Sequence, residues 1–284
     1  MIVTPANCSM LGEGLDHPES VCVDDGNTIF AGGEAGQLYR LSGDGQQSIV
    51  ASTGGFLLGI ALDGEGCVHA CDCDQPAVVR IAPDGSIQQR STGTPEHRFV
   101  IPNYGVFDVD GNLYVSDSGD YWQRPGTGCI LKIAPDDSTT LFHAGPLQFA
   151  NGLAIDPSGQ WLYIVQSTVP DVVRVPLREP NGELEPIHAL PRGAVPDGLA
   201  FADNGELLIA CYKPDAVYRG FPDGRVELFC EDPTGELLSR PTNVALHNGK
   251  LYIANLGGWH ITVIDVDLRP APLHRPNFST LVSP

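Results

Sequence analysis

Positive charge is scarce in this chain. Lys and Arg number 16 against 35 Asp and Glu, a formal net charge of −19. Such a surface repels phosphate backbones and anionic lipid headgroups, so nucleic-acid and membrane partners are not expected. Long apolar runs are missing as well. No 18-residue apolar stretch occurs, and the opening Met1-Ile2-Val3-Thr4-Pro5-Ala6-Asn7-Cys8 has neither a basic start nor an apolar run of signal-peptide length. A cytoplasmic protein is the expectation. Cysteines with the spacing of a disulfide scaffold are also lacking: Cys8, Cys22, Cys67, Cys71, Cys73, Cys129, Cys211 and Cys230 are scattered and should be free thiols in a reducing compartment. Cys67, His69, Cys71 and Cys73 alternate onto one strand face, but residues two apart on a strand are separated by about 6.6 Å, too far for four of them to close on one zinc ion. Helical periodicity is missing throughout.

What is abundant is punctuation. With 42% hydrophobic residues, 33 Gly and 24 Pro in 284 residues, the chain can bury a large core while ending many short strands. Six copies of one pattern open at Pro18-Glu19-Ser20, Leu58-Gly59-Ile60, Pro102-Asn103-Tyr104, Asn151-Gly152-Leu153, Pro196-Asp197-Gly198 and Pro241-Thr242-Asn243, about 39 to 48 residues apart. That period in an all-strand sequence signals a six-bladed β-propeller, all-β, with residues 1–284 as one domain. Each copy carries turn signals after its opening strand, such as Asp63-Gly64, Asp110-Gly111-Asn112 and Pro222-Asp223-Gly224, as a four-stranded antiparallel blade requires. In the opening strands bulky residues (Val21, Ile60, Phe107, Leu153, Leu199, Val244) recur beside small ones (Cys22, Ala61, Ala154, Ala200, Ala245). Large-against-small packing between blades is the expectation. Residues 1–12 could supply a closing strand, with Val266 to Pro284 completing the last blade or packing beneath it.

The residue at one shared offset reads Glu19, Leu58, Asn103, Asn151, Asp197 and Thr242. Inner strands of a propeller line a central channel, so Glu19, Asn103, Asn151 and Asp197 are expected to meet there. Two carboxylates in a narrow channel repel and are costly to desolvate unless a cation sits between them. Carboxylate and amide oxygens suit calcium best, and magnesium or manganese next. Asn151-Gly152 and Asp197-Gly198 also read as hairpin turns, but Glu19 and Asn103 hold the same offset without a following glycine.

On these residues the chain resembles the gluconolactonase and senescence-marker (regucalcin) family, whose wider relatives are the diisopropyl fluorophosphatases and paraoxonases. Pro18-Glu19, Pro102-Asn103, Asn151-Gly152 and Pro196-Asp197-Gly198 match the family's metal-ligand places, and Leu11-Gly12-Glu13-Gly14 is similar to its entry segment. The resemblance implies a six-bladed propeller with a catalytic divalent cation, usually calcium, held by Glu19, Asn103, Asn151 and Asp197. Mg²⁺, Mn²⁺ and Zn²⁺ also accept oxygen ligands. Two positions depart from the sugar-lactonase pattern: Ile101 stands where an Arg holds sugar hydroxyls, and Tyr121, beside Trp122, stands near the place of a sugar-contacting Glu. A less polar lactone or ester is therefore expected.

The resulting expectation is a metal-dependent lactonase or related esterase with a small-molecule substrate, in a monomer or weak homo-oligomer. Asp197 acts as base or nucleophile, and Asn103, Tyr104, Tyr121, Trp122 and His260 contact substrate. His260 reads more readily as a hydrogen-bonded structural histidine, and Glu34, Asp117 and Trp259 are further pocket candidates. The alternatives are a non-catalytic calcium- or small-molecule-binding propeller, a phosphotriesterase-like hydrolase, and a metal-free synthase of the strictosidine-synthase type.

Overall fold

A computed structural model describes residues 1–281. Six four-stranded antiparallel sheets form a ring, a six-bladed β-propeller. Five blades are consecutive hairpins; the sixth pairs Pro241–His247, Lys250–Asn255 and Ile261–Asp265 with Cys8–Leu11 from the start of the chain. The amino-terminal strand thus closes the ring. The carboxyl-terminal segment runs beneath it: Pro270 bridges Ala202 of blade five, Arg275 bonds Asp25 and the Val23 carbonyl of blade one, and Pro276 accepts from the Gly64 amide of blade two. Residues 278–281 form one helical turn.

Aspartates build the turns. At the ends of the inner strands, Asp24, Asp63, Asp108 and Asp156 accept backbone amides from the turn that follows. Asp44, Asp84, Asp136 and Asp223 do the same two residues ahead in the next hairpin. These are local side-chain turns that outcompete other backbone geometries. Much of the acidic surplus therefore has a structural origin.

The inner strands are irregular in one repeated way. Pairing shifts between Leu57 and Ile60, Pro102 and Gly105, Ala150 and Leu153, Pro196 and Leu199, and Pro241 and Val244. Each shift inserts an extra residue at the offset identified above. In a regular strand, residues three apart face opposite sides; a bulge brings them to the same side. Of the small residues three positions on, Ala61, Ala200 and Ala245 are half-buried, as is Cys22 in blade one, where Ser20–Val23 pairs in regular register; Ala154 is buried, and all five line a cavity of about 550 Å³. The bulky set, Val21, Ile60, Leu153, Leu199 and Val244, is buried between blades. The expected large-against-small packing is met between neighbouring blades: Ala154 shares a buried cluster with Leu199, and Cys22, Ala61, Ala200 and Ala245 pack against the clusters that hold Ile60, Phe107, Val244 and Val21. In blade three the bulky place at this register is Gly105, tight against Leu113, and Phe107 lies two residues further along.

Candidate active site at the channel entrance

The shared offset lies at the start of each inner strand, at the channel end opposite the carboxyl-terminal segment. Glu19, Asn103, Asn151 and Asp197 are all buried there. The glycines that follow are close-approach positions. A Cβ on Gly152 would lie 2.4 Å from the Asp197 carbonyl oxygen, and one on Gly198 would lie 2.6 Å from that of Thr242. A Cβ on Gly59 would lie 2.6 Å from the Asn103 carbonyl oxygen. Neighbouring inner strands converge so tightly that only hydrogen fits between them. Asn151-Gly152 and Asp197-Gly198 thus lie within strands and are not hairpin turns. The remaining offset residues have other tasks: Leu58 is buried, and Thr242 Oγ1 donates to the Glu19 carbonyl at 2.6 Å.

The carboxylates feel one another. Burial raises the Glu19 pKa well above the ordinary carboxylate range, and the charge of Asp197 raises it further. Burial likewise pushes Asp197 up to about 8, against a hydrogen bond from Asn151. No Lys, Arg or His contributes to either shift. Two further buried oxygens beside the tetrad, Ser20 Oγ and Asn243 Oδ1, have no hydrogen-bond partner. Acceptor oxygens without a positive partner are the donor set of a hard cation. Glu19, Asn103, Asn151 and Asp197 fit such an ion.

The other candidates fall at three levels. Tyr104 follows Asn103 and reaches across from blade three toward blade six, where its hydroxyl meets the Asn243 side chain. Its ring lines the 550 Å³ cavity beyond the tetrad. Burial, with the nearby Cys22 and Glu19, raises its pKa. Tyr121 and Trp122 lie on the outer side of the tetrad with ring centroids 4.9 Å apart, and Tyr121 also packs edge-on against Phe149 at 5.3 Å. Phe149 precedes Asn151 by two residues, so these rings form one wall of the entrance. Trp122 is 85% exposed. Sequence reasoning missed Phe149; its place just before an offset residue was the available signal.

Trp259, 61% exposed, packs at 5.8 Å on His17, which leads into the neighbouring blade one. His260 Nε2 lies 3.1 Å from the Leu237 carbonyl, in the loop leading to blade six. Asp117 holds the loop before Asn103, accepting the amides of Val100, Ile101 and Gly119. Glu34 is exposed; its carboxylate and those of Asp16 and His17's ring nitrogens gather within 4.8 Å. Asp16 there accepts from Ala35 and Gln37, and His17 bonds the Leu256 carbonyl and Trp259.

A family model described as the SMP-30/Gluconolactonase/LRE-like region matches residues 88–257, more than half of the chain. The chain belongs to that family. The matched residues contain Asn103, Asn151 and Asp197, whereas Glu19 precedes them. Among curated relatives, the chain is similar to lactonase drp35 of Staphylococcus aureus, 26% identical over 43% of this chain and 40% of that protein. It is also similar to the strictosidine synthase-like 3 protein of Arabidopsis thaliana, 24% identical over 64% of this chain and 47% of that protein. The matches thus span less than half the length of these relatives. Among solved structures, a gluconolactonase from Xanthomonas campestris superposes with a TM-score of 0.78 at 19% identity, covering 94% of each chain. A calcium-binding regucalcin from Agrobacterium tumefaciens gives 0.75 at 19% identity, covering 95% of this chain and 97% of that one. This chain and these neighbours share the propeller. No helix among the described residues is long and apolar enough to cross a membrane.

Proposed function

We propose that this protein is a divalent-cation-dependent hydrolase of lactones or related esters, with Glu19, Asn103, Asn151 and Asp197 holding the cation. One observation carries the reading: two buried carboxylates face each other at the channel entrance with no basic side chain to balance them. Family membership and the gluconolactonase and lactonase among its relatives support ester-type chemistry. The calcium-binding regucalcin supports calcium as the ion.

A bound cation supplies Lewis-acid polarisation of the substrate carbonyl and stabilises the oxygen that gains negative charge there. The chain's own residues do the rest. Asp197 accepts a proton from a water molecule, whose oxygen attacks the carbonyl carbon. The carbon–oxygen ester bond then breaks, and the departing alkoxide takes up the proton, leaving a hydroxy acid. Glu19 remains an anchor, and the asparagines present neutral oxygens that set geometry without adding charge. The rings of Tyr121, Trp122 and Phe149 exclude water and receive the apolar part of the substrate. Ile101 stands where a sugar-binding side chain is expected, which favours sparsely hydroxylated substrates.

The decisive experiment is a panel of lactones and esters assayed on chelator-stripped protein with Ca²⁺, Mg²⁺, Mn²⁺ or Zn²⁺ restored singly. Turnover that appears only with a cation, and is faster for an apolar lactone than for gluconolactone, is the expected result. Absence of turnover across the whole panel would favour a non-catalytic binding propeller. The highest kcat/KM for gluconolactone would overturn the argument about pocket polarity.

A further inference from the structure

An asparagine makes an ambiguous ligand. Its side chain can turn either an oxygen or an NH₂ group toward a cation, whereas both ends of a carboxylate are oxygen. Blades three and four resolve this ambiguity in the same way. Asn103 Nδ2 donates to Ser118 Oγ at 3.1 Å, and Ser118 Oγ donates to the Ala150 carbonyl at 2.8 Å. Asn151 Nδ2 donates to Ser167 Oγ at 3.1 Å, and Ser167 Oγ donates to the Pro196 carbonyl at 2.7 Å. Both serines are buried.

The direction of these bonds follows from counting protons. A serine hydroxyl has a single hydrogen, and a carbonyl oxygen can only accept. Once that hydrogen is committed to Ala150 or Pro196, the serine can only accept from the asparagine. The NH₂ end must therefore face the serine, and Oδ1 is left toward the channel. Each carbonyl also belongs to the residue just before the next tetrad member, Asn151 or Asp197, so the same hydroxyl ties one ligand to the backbone that carries the next.

A comparison among the blades makes the pattern specific. Counted along the second strand of each blade, the equivalent positions are Glu34, Cys73, Ser118, Ser167, Tyr212 and Leu256. Serine stands only in the two blades whose offset residue is an asparagine. Where that residue is Glu19 or Asp197, the position holds Glu34 or Tyr212. A purely structural demand of the propeller would fall on every blade alike.

We infer that Ser118 and Ser167 are positioning residues that lock the Asn103 and Asn151 amides with oxygen toward the cation and thereby set cation affinity. This rests on the proposed cation site. The test is calcium titration by calorimetry on the full chain, with the melting temperature of the chelator-treated protein measured in parallel. Ser118→Ala and Ser167→Ala should each weaken calcium binding by about 10- to 100-fold, the usual cost of losing a group that orients a metal ligand. Ser118→Thr, which retains a hydroxyl, should recover most of the affinity. The discriminating variant combines Ser118→Ala with Asn103→Asp. A carboxylate has no wrong end, so Ser118→Ala should cost much less affinity in that background. An equal loss in both backgrounds would reduce Ser118 to a packing role and overturn the inference, as would unchanged affinity in the alanine variants with their folding intact. Failure of the unaltered protein to bind Ca²⁺, Mg²⁺ or Mn²⁺ would overturn the cation site itself, and the inference with it.

Discussion

Two regions of this propeller bury acidic side chains to a similar degree and treat them in opposite ways. Asp63, in blade two, is 3% exposed, much like Glu19 at 4% and Asp197 at 7%. Burial alone would raise the pKa of Asp63. Hydrogen bonds from His69 and the Cys67 amide, the charge of His69 when protonated, and Arg80 outweigh burial and hold it below the ordinary value. Arg80 Nε lies 3.0 Å from Asp63, and the amides of Glu65 and Cys67 lie 2.9 and 2.8 Å away. His69 is kept neutral, its pKa lowered to about 4 by burial and by Arg90. Arg90 donates to its Nδ1 at 3.3 Å, so the ring proton sits on Nε2, toward Asp63. Phe278 covers both guanidinium groups, 5.5 Å from Arg80 and 4.8 Å from Arg90. Asp63 is a closed network; Glu19 and Asp197 form an open one. A buried charge already balanced by protein groups serves the fold, whereas one left without a partner marks where something else must bind.

The comparison breaks most sharply on substitution. Asp197→Asn keeps an oxygen of nearly the same size and removes the charge and the capacity to accept a proton. At calcium concentrations shown by calorimetry to saturate the variant, kcat should fall by about 10²- to 10⁴-fold, the usual cost of losing a general base. Near-normal turnover there would remove Asp197 from the chemistry. Asp63→Asn should do the reverse. Breaking a buried ion pair from one side typically costs about 3–5 kcal/mol, because the partner charge stays buried. Urea unfolding should register that loss, while kcat per folded molecule stays unchanged.

The next largest effect is the pH dependence of the chelator-treated protein. Carboxyl groups with raised folded pKa values bind more protons folded than unfolded, so their contribution to stability falls as pH rises. For Asp197 the window runs from about 4, its unfolded value, to about 8. Asp63 has the opposite sign: its lowered pKa contributes stability above the ordinary aspartate range that is lost on acidification. Thermal melting should therefore show the cation-free protein weakening between pH 5 and about 8, with saturating calcium removing that decline. An identical pH profile with and without calcium would refute the contrast.

The smallest effect concerns the cover of the closed network. Phe278→Ala removes the ring over Arg80 and Arg90 and should lower stability by about 1–2 kcal/mol. Lactone hydrolysis should be unaffected, because the carboxyl-terminal segment lies at the far end of the channel. A change in KM without a change in stability would link the two ends.

Much of this contrast was legible in the residues themselves. The shared offset and its four oxygen-bearing side chains could be read from the register, because a propeller repeats its inner strand at a regular period. The absence of a basic residue at that offset in any blade was equally visible. Asp117 and His260 entered the pocket candidates because a polar residue beside a strand end reads alike whether it holds a loop or faces a ligand. Ser118 and Ser167 escaped notice because a lone serine carries no motif; only pairing each blade's second strand with its first aligned them with the asparagines.

Local pattern alone thus determined the blade count, the turns and the composition of the candidate site, because alternation, Asx turns and the repeat period act over a few neighbouring residues or recur at a fixed interval. Contacts between strands about 45 residues apart in sequence decided the rest. The bulges add a residue to the inner strands at the shared offset, Gly152 and Gly198 let neighbouring backbones touch, and Cys8–Leu11 closes the ring from the opposite end of the chain. The same convergence turns Glu19 and Asp197 into a pair, since two carboxylates perturb each other only once folding has removed both the distance and the water between them.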